Sequence, residues 1–107
     1  MTWRVEILNR SVRAEIESLP ADIRARLTRI VDLIETIGLH GVHEPHVKPL
    51  GDELWEMRMK GRDGIARAIY VTTHKRRVVI LHAFIKKSQK TPRAAIDRAL
   101  ARAKEVT

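Results

Sequence analysis

Three lysines stand within five residues near the C-terminus, in Lys86-Lys87-Ser88-Gln89-Lys90, directly after the apolar run "VVILHAFI". Ammonium groups crowded at a strand end can hold a phosphate or move a proton, or can merely keep that strand end soluble. A second cationic group sits upstream. If Gly61-Arg62-Asp63-Gly64 is a tight turn, Lys60 lies opposite Ile65 and Arg58 opposite Arg67. Alternation then puts Trp55, Met57, Met59, Ala66, Ala68 and Tyr70 on one face. The other face carries Glu56, Arg58, Lys60, Ile65, Arg67 and Ile69. Like charges directly across a strand pair repel. Arg58 and Arg67 on an open face therefore call for an anion between them, or for a carboxylate such as Glu56 that links them in a surface Arg–Glu–Arg network. Guanidinium forks match phosphate oxygens in geometry and keep their charge at any working pH. If the next strand pairs beside "IARAIYV", its face with Ile80, His82, Phe84 and Lys86 joins Arg67. Both clusters then meet at one end of a sheet.

The elements that must position these groups read as follows. "TWRVEIL" alternates around Trp3, Val5 and Ile7, as a short strand does. Val12, Ile16 and Leu19 recur at helical spacing, with Asn9 or Ser11 available as a cap. A second helix opens at Pro20, carries Asp22 in its first turn and stops at Gly38. Ile23, Leu27, Ile30, Val31, Ile34 and Ile37 form its apolar stripe. "GLHGVHEPHVKPLGDE" is punctuated by glycine and proline and reads as a loop. Three strands follow, "LWEMRMK", "IARAIYVTT" and "VVILHAFIKK", the last apolar on both faces and so placed inside the sheet. Thr91-Pro92 caps a final helix with Ile96, Leu100 and Ala103 on one side. The expected fold is α+β: an N-terminal strand plus a three-strand meander form a small, mostly antiparallel sheet. An N-terminal helical hairpin packs on one face of it, and a C-terminal helix follows.

At 107 residues a single domain over 1–107 is expected. There is no cysteine, which excludes disulfides and thiol catalysis and fits a reducing cytoplasm. The charged N-terminus does not resemble a signal peptide, and no run is long enough to span a membrane. Net charge is unevenly spread. Residues 1–47 hold 6 Lys+Arg and 7 Asp+Glu, whereas 48–107 hold 15 and 6, so all of the +8 arises in the second part. Such a localised excess is the footprint of a polyanion partner, or else a solvated basic surface. His40, His43 and His46, with Glu44 between, lie among glycines and prolines that prevent a shared helical face, so no metal site is expected.

"LWEMR", "GIARAIY" and "LHAFIKKSQKTP", in this order after a helical hairpin, resemble the RelE/ParE superfamily of bacterial toxins, most closely its HigB-like, phage-associated branch. The resemblance covers the element order of nearly the whole chain, and residues 48–92 in motif. It implies the toxin of a type II toxin–antitoxin pair: a ribosome-dependent mRNA endoribonuclease in the cytoplasm. Its partners would be a cognate antitoxin, of helix-turn-helix type, the ribosome and mRNA, with no membrane and no cofactor. Its chemistry would be metal-independent attack of a ribose 2′-hydroxyl on the adjacent phosphate. Carried over by motif, Arg67 holds the scissile phosphate, Arg58 faces it, and Lys86 and Lys87 form the catalytic strand end. Lys90 matches the third lysine of that motif. Lys60 and Arg93 are taken as further RNA contacts. Some members place a tyrosine or histidine near the C-terminus as acid or base. This chain has neither beyond His82, a candidate by type and face that reads better as a packed strand histidine beside Phe84. The alternative within the superfamily is a ParE-like inhibitor that binds DNA gyrase without cutting RNA. A third reading is a plain nucleic-acid-binding module.

Overall fold

A computed structural model describes residues 2–42, 47–86 and 90–107 of the chain. Strand β1 (Arg4–Ile7) leads into helices α1 (Arg10–Glu17) and α2 (Ala21–Ile37). A short 3-10 turn at Leu39–Gly41 is followed by β2 (Val47–Gly51), β3 (Leu54–Gly61), β4 (Gly64–Thr73), β5 (Arg77–Ile85) and α3 (Arg93–Ala103). The five strands form one sheet in the order β1-β5-β4-β3-β2. Only β1 runs parallel to its neighbour, β5.

The helical hairpin forms as its sequence dictates. Asn9 caps α1, its Oδ1 accepting from the Val12 amide at 3.0 Å. Gly38 ends α2 with φ of 88°, a conformation glycine adopts without a Cβ penalty. Asp22, in the first turn of α2, accepts from the Arg62 amide at 2.6 Å and so ties the helix to the β3–β4 turn. Gly61, in that turn, lets the two meet. A Cβ there would fall 2.5 Å from Ile23 Cγ1 and 2.7 Å from Asp22 Oδ2, whereas one at Gly64 would touch nothing. Gly61→Ala should therefore lower stability by about 1–3 kcal/mol. Gly64→Ala should leave it nearly unchanged, and thermal denaturation of the two variants decides this.

The β3–β4 hairpin has the register expected from alternation, with Gly61 opposite Gly64, Lys60 opposite Ile65 and Arg58 opposite Arg67. β5 lies inside the sheet, as its apolar sequence required. Three features differ from expectation. First, "HVKPLGDE" is not all loop: Val47–Gly51 is a strand paired with β3. Pro49 does not prevent this, because β2 is the edge strand and an edge can spare a donor. Asp52 and Glu53, with φ of 52° and 67°, make the turn into β3 in the left-handed conformations that suit a tight hairpin.

Second, the helices occupy both faces. Val12, Ile23, Leu27, Ile30 and Ile34 from the hairpin pack with Met57, Met59, Ala66, Ala68 and Tyr70. The opposite face, with Leu54, Ile69, Val79 and Leu81, is covered by Ala95 and Ala99 of α3. That face is apolar at one end and charged at the other, and the apolar end needs a lid.

Third, β5 carries a bulge. Ile69 pairs with His82 but Tyr70 with Ile80, so Leu81 is the extra residue. The bulge reverses the alternation. Ile80 packs with the hairpin core. Leu81 and Phe84 pack with the α3 cluster instead, and His82 stacks on Phe84 at 4.9 Å. Ile80 thus does not share a face with His82 and Phe84.

Pairing with β1 ends at Ile80. Beyond it, side chains satisfy the edge of β5. Glu15 of α1 accepts from the Ala83 amide at 3.1 Å, and Arg102 of α3 donates to the Leu81 carbonyl at 2.9 Å. Glu15 also pairs with His82 Nδ1 at 2.8 Å and with Arg102 at 3.0 Å. Burial opposes ionisation of Glu15, but the bonds from His82, the Ala83 amide and Arg102 outweigh it and hold the carboxyl below its ordinary 4.5. Because the folded-state value lies below the unfolded one, ionised Glu15 stabilises the fold above that range, and the contribution disappears as pH falls through the folded value. Glu15→Gln should cost stability at about pH 7 and much less at about pH 3. Urea titrations at the two pH values measure the difference.

Candidate nucleic-acid interface

Arg58 and Arg67 face one another across β3 and β4, and Glu56 lies between them. Glu56 Oε2 is 3.6 Å from Arg67 Nη1, and Oε1 is 3.5 Å from Arg58 Nε. Thr91, just before α3, completes the group. Its hydroxyl donates to Glu56 Oε2 at 2.7 Å and accepts a short bond from Arg67 Nη1. Carboxylate, hydroxyl and guanidinium thus close a triangle linking β3, β4 and the entry to α3.

The Arg–Glu–Arg network anticipated for the surface is therefore mostly interior. Glu56 is 0% exposed and Arg67 1%. Arg58 alone reaches solvent, its side chain 32% exposed. The expectation that Arg67 lies on an open face and holds a phosphate directly does not fit this placement, because the approach of α3 buries that end of the sheet. Thr91 was expected to cap the final helix. Pro92 instead occupies the N-cap position, without a side-chain bond, and the Thr91 hydroxyl turns inward to Glu56 and Arg67.

Above the network lies a cleft of about 580 Å³. Lys48 of β2, Arg58 of β3 and Lys90 before α3 supply its cations. Pro49, Leu50 and Ile96 supply apolar walls, and Thr91 reaches it from the network. Of the residues expected from sequence, the fold brings Arg58 and Lys90 into this cleft. The other expected residues that are described do not line it. Lys60 is exposed on β3 beyond Arg58. Lys86 is half-buried at the end of β5, its amide donating to the Ile65 carbonyl at 2.7 Å. Arg93 stands on the outer face of α3, paired with Asp97 at 3.0 Å. Lys87 lies outside the described residues, as do His43, Glu44 and His46. His40 is set edge-on to Trp3. Among the described residues no cluster of histidines and carboxylates could hold a metal.

Sequence reasoning missed Lys48 and Thr91. The signal for Lys48 was the strand period through "VKPL", masked by Pro49. For Thr91 there was none, since a threonine before proline at a helix start reads as a cap.

A second cleft, of about 460 Å³, opens between Leu39, His40, Val42, Val47, Trp55 and Tyr70 on the hairpin side. It is apolar, and burial pushes the Tyr70 hydroxyl up to about 12, out of reach of proton transfer near neutrality. The chemistry-bearing groups are in the cationic cleft.

This fold and site define a small α+β protein with a cationic cleft where an edge hairpin meets the C-terminal helix. Residues 14–104 match the family described as phage-derived protein Gp49-like (DUF891), and the chain belongs to that family. Its structure is similar to a chain in the crystal structure of the archaeal RelE–RelB complex from Pyrococcus horikoshii OT3. The TM-score is 0.57 at 27% identity, over 79% of this chain and 96% of that one. No curated protein matches the sequence. No helix among the described residues is long and apolar enough to cross a membrane.

Proposed function

We propose that this protein is the toxin of a type II toxin–antitoxin pair, of the HigB-like branch, and that it cleaves mRNA on the ribosome without a metal. The observation that carries the proposal is the cationic cleft: Lys48, Arg58 and Lys90 converge over buried Arg67 and Glu56, joined by Thr91. The likeness to a chain of a RelE–RelB complex favours the same class of activity and an antitoxin partner.

In this reading the 2′-oxygen forms a bond to the adjacent phosphorus while the bond to the 5′-oxygen breaks. The products are a cyclic phosphate and a 5′-hydroxyl. The 2′-hydroxyl loses its proton and the leaving oxygen gains one. The protein supplies charge where the phosphorane forms, and Arg58 is the group with fork, exposure and position for it. Lys48 and Lys90 hold flanking phosphates. Arg67 acts as a positioning residue through Glu56 and Thr91.

The test is induced expression with message 5′ ends mapped, comparing wild type with Arg58→Ala and Lys48→Ala. Growth arrest with cuts inside translated codons, abolished by Arg58→Ala in a folded protein, is the expected result. Arrest without cut messages, or arrest accompanied by a DNA-damage response, would favour the gyrase-binding reading. Arg67→Ala is the wrong first variant, because its burial confounds activity with folding.

A further inference from the structure

The cleft has two kinds of wall. Cations line one part of it, and Pro49, Leu50 and Ile96 line another. Phosphate alone needs no apolar wall, and an apolar ligand needs no cations. A nucleotide has both requirements in one molecule: a charged phosphate and a flat base with apolar faces.

We infer that Leu50 and Ile96 form the platform for one unpaired nucleobase of a single-stranded RNA, its neighbouring phosphates lying on Lys48, Arg58 and Lys90. The inference rests on the reading of the cleft as an RNA site and adds a specificity-determining surface to it. The volume of about 580 Å³ is within the range of small-ligand sites. It is large enough for one extruded nucleotide. The two platform residues come from different elements: Leu50 from β2, an edge strand, and Ile96 from α3. Both are half-buried, with one side packed on the core beneath α3 and the other toward the cleft. No aromatic side chain lines the cleft among the described residues, so the base rests on aliphatic carbon. Contact of this kind is less favourable than stacking on an aromatic ring, and an aromatic substitution should improve it.

The measurement is binding of a fluorescein-labelled 2′-O-methyl oligoadenylate of about six residues, which offers bases and whose blocked 2′-oxygens cannot attack phosphorus. Inorganic polyphosphate, which has no bases, is the comparison ligand. Leu50→Ala and Ile96→Ala should each weaken the oligoadenylate by roughly fivefold to tenfold and leave polyphosphate unchanged. Leu50→Trp should tighten the oligoadenylate alone, a gain that an unfolded variant cannot produce. If all three variants leave the ratio of the two affinities unchanged while Arg58→Ala weakens both ligands, the platform is overturned and the RNA-cleft reading stands. If Arg58→Ala and Lys48→Ala weaken neither ligand, the cleft is not an anion site and both ideas fall.

Discussion

Arg58→Ala should abolish message cutting while leaving the protein folded. The expected loss is about a hundredfold to a thousandfold in cleavage rate, the effect of removing one donor to an oxyanion in a preorganised site. The fold should survive because the side chain is a third exposed and its only ion-pair partner among the described residues, Glu56, is 3.5 Å away at the limit of a useful contact. Its removal should cost no more than about 1 kcal/mol of stability. Arg58→Lys separates two explanations. A lysine keeps the charge and loses the fork, so partial activity assigns a role to charge alone. Inactivity of the lysine variant assigns it to geometry. Cleavage of reporter message in a purified translation reaction, with thermal midpoints of each variant, supplies the numbers. Full activity in Arg58→Ala would remove the cleft from the mechanism.

Glu56→Ala should be the most damaging change to the fold. The carboxylate is fully buried and sits within 3.6 Å of a guanidinium that is itself 1% exposed. Removing it takes away the counter-charge of Arg67 and the acceptor of the Thr91 hydroxyl together. Breaking such a buried pair from one side costs about 3–5 kcal/mol. Glu56→Gln keeps the shape and an acceptor for Thr91 but not the charge, and should cost less. The double variant Glu56→Leu with Arg67→Met tests whether the pair serves stability or position. Replacing both charges by apolar groups of similar volume can restore stability. If urea denaturation shows recovery while message cutting stays lost, the pair positions the site. If both return, it was structural only.

Much of the site was legible at the level of register. A turn at Gly61–Gly64 and strict alternation sufficed to set Arg58 against Arg67, because a one-residue slip would have turned Met57 and Met59 outward. Depth was not legible. The face bearing Arg67 also bears Leu54 and Ile69, which with Val79 and Leu81 of β5 pack against α3. Weighing the charged end of that face above its apolar end left the sheet open in expectation. The bulge at Leu81 was invisible for a different reason: it is a property of two paired strands, and β5, apolar on both faces, has no alternation whose break could mark it. β2 was hidden by Pro49, which marks a loop in most contexts and an edge strand in this one.

The seal on the outer edge of β5 and the Glu56 network each join residues very far apart in the chain. Arg102 reaches Glu15 across 87 positions, and Thr91 reaches Glu56 across 35. Neither contact exists until α3 has been synthesised and docked. A chain lacking α3 would leave the Leu81 carbonyl without Arg102, the apolar face of Leu54, Ile69, Val79 and Leu81 uncovered, and the cleft without its Ile96 wall. Cleft wall, apolar cover and part of the edge protection thus depend on one helix, so a chain truncated before α3 should lose all three at once and aggregate, which size-exclusion chromatography of the truncated chain measures.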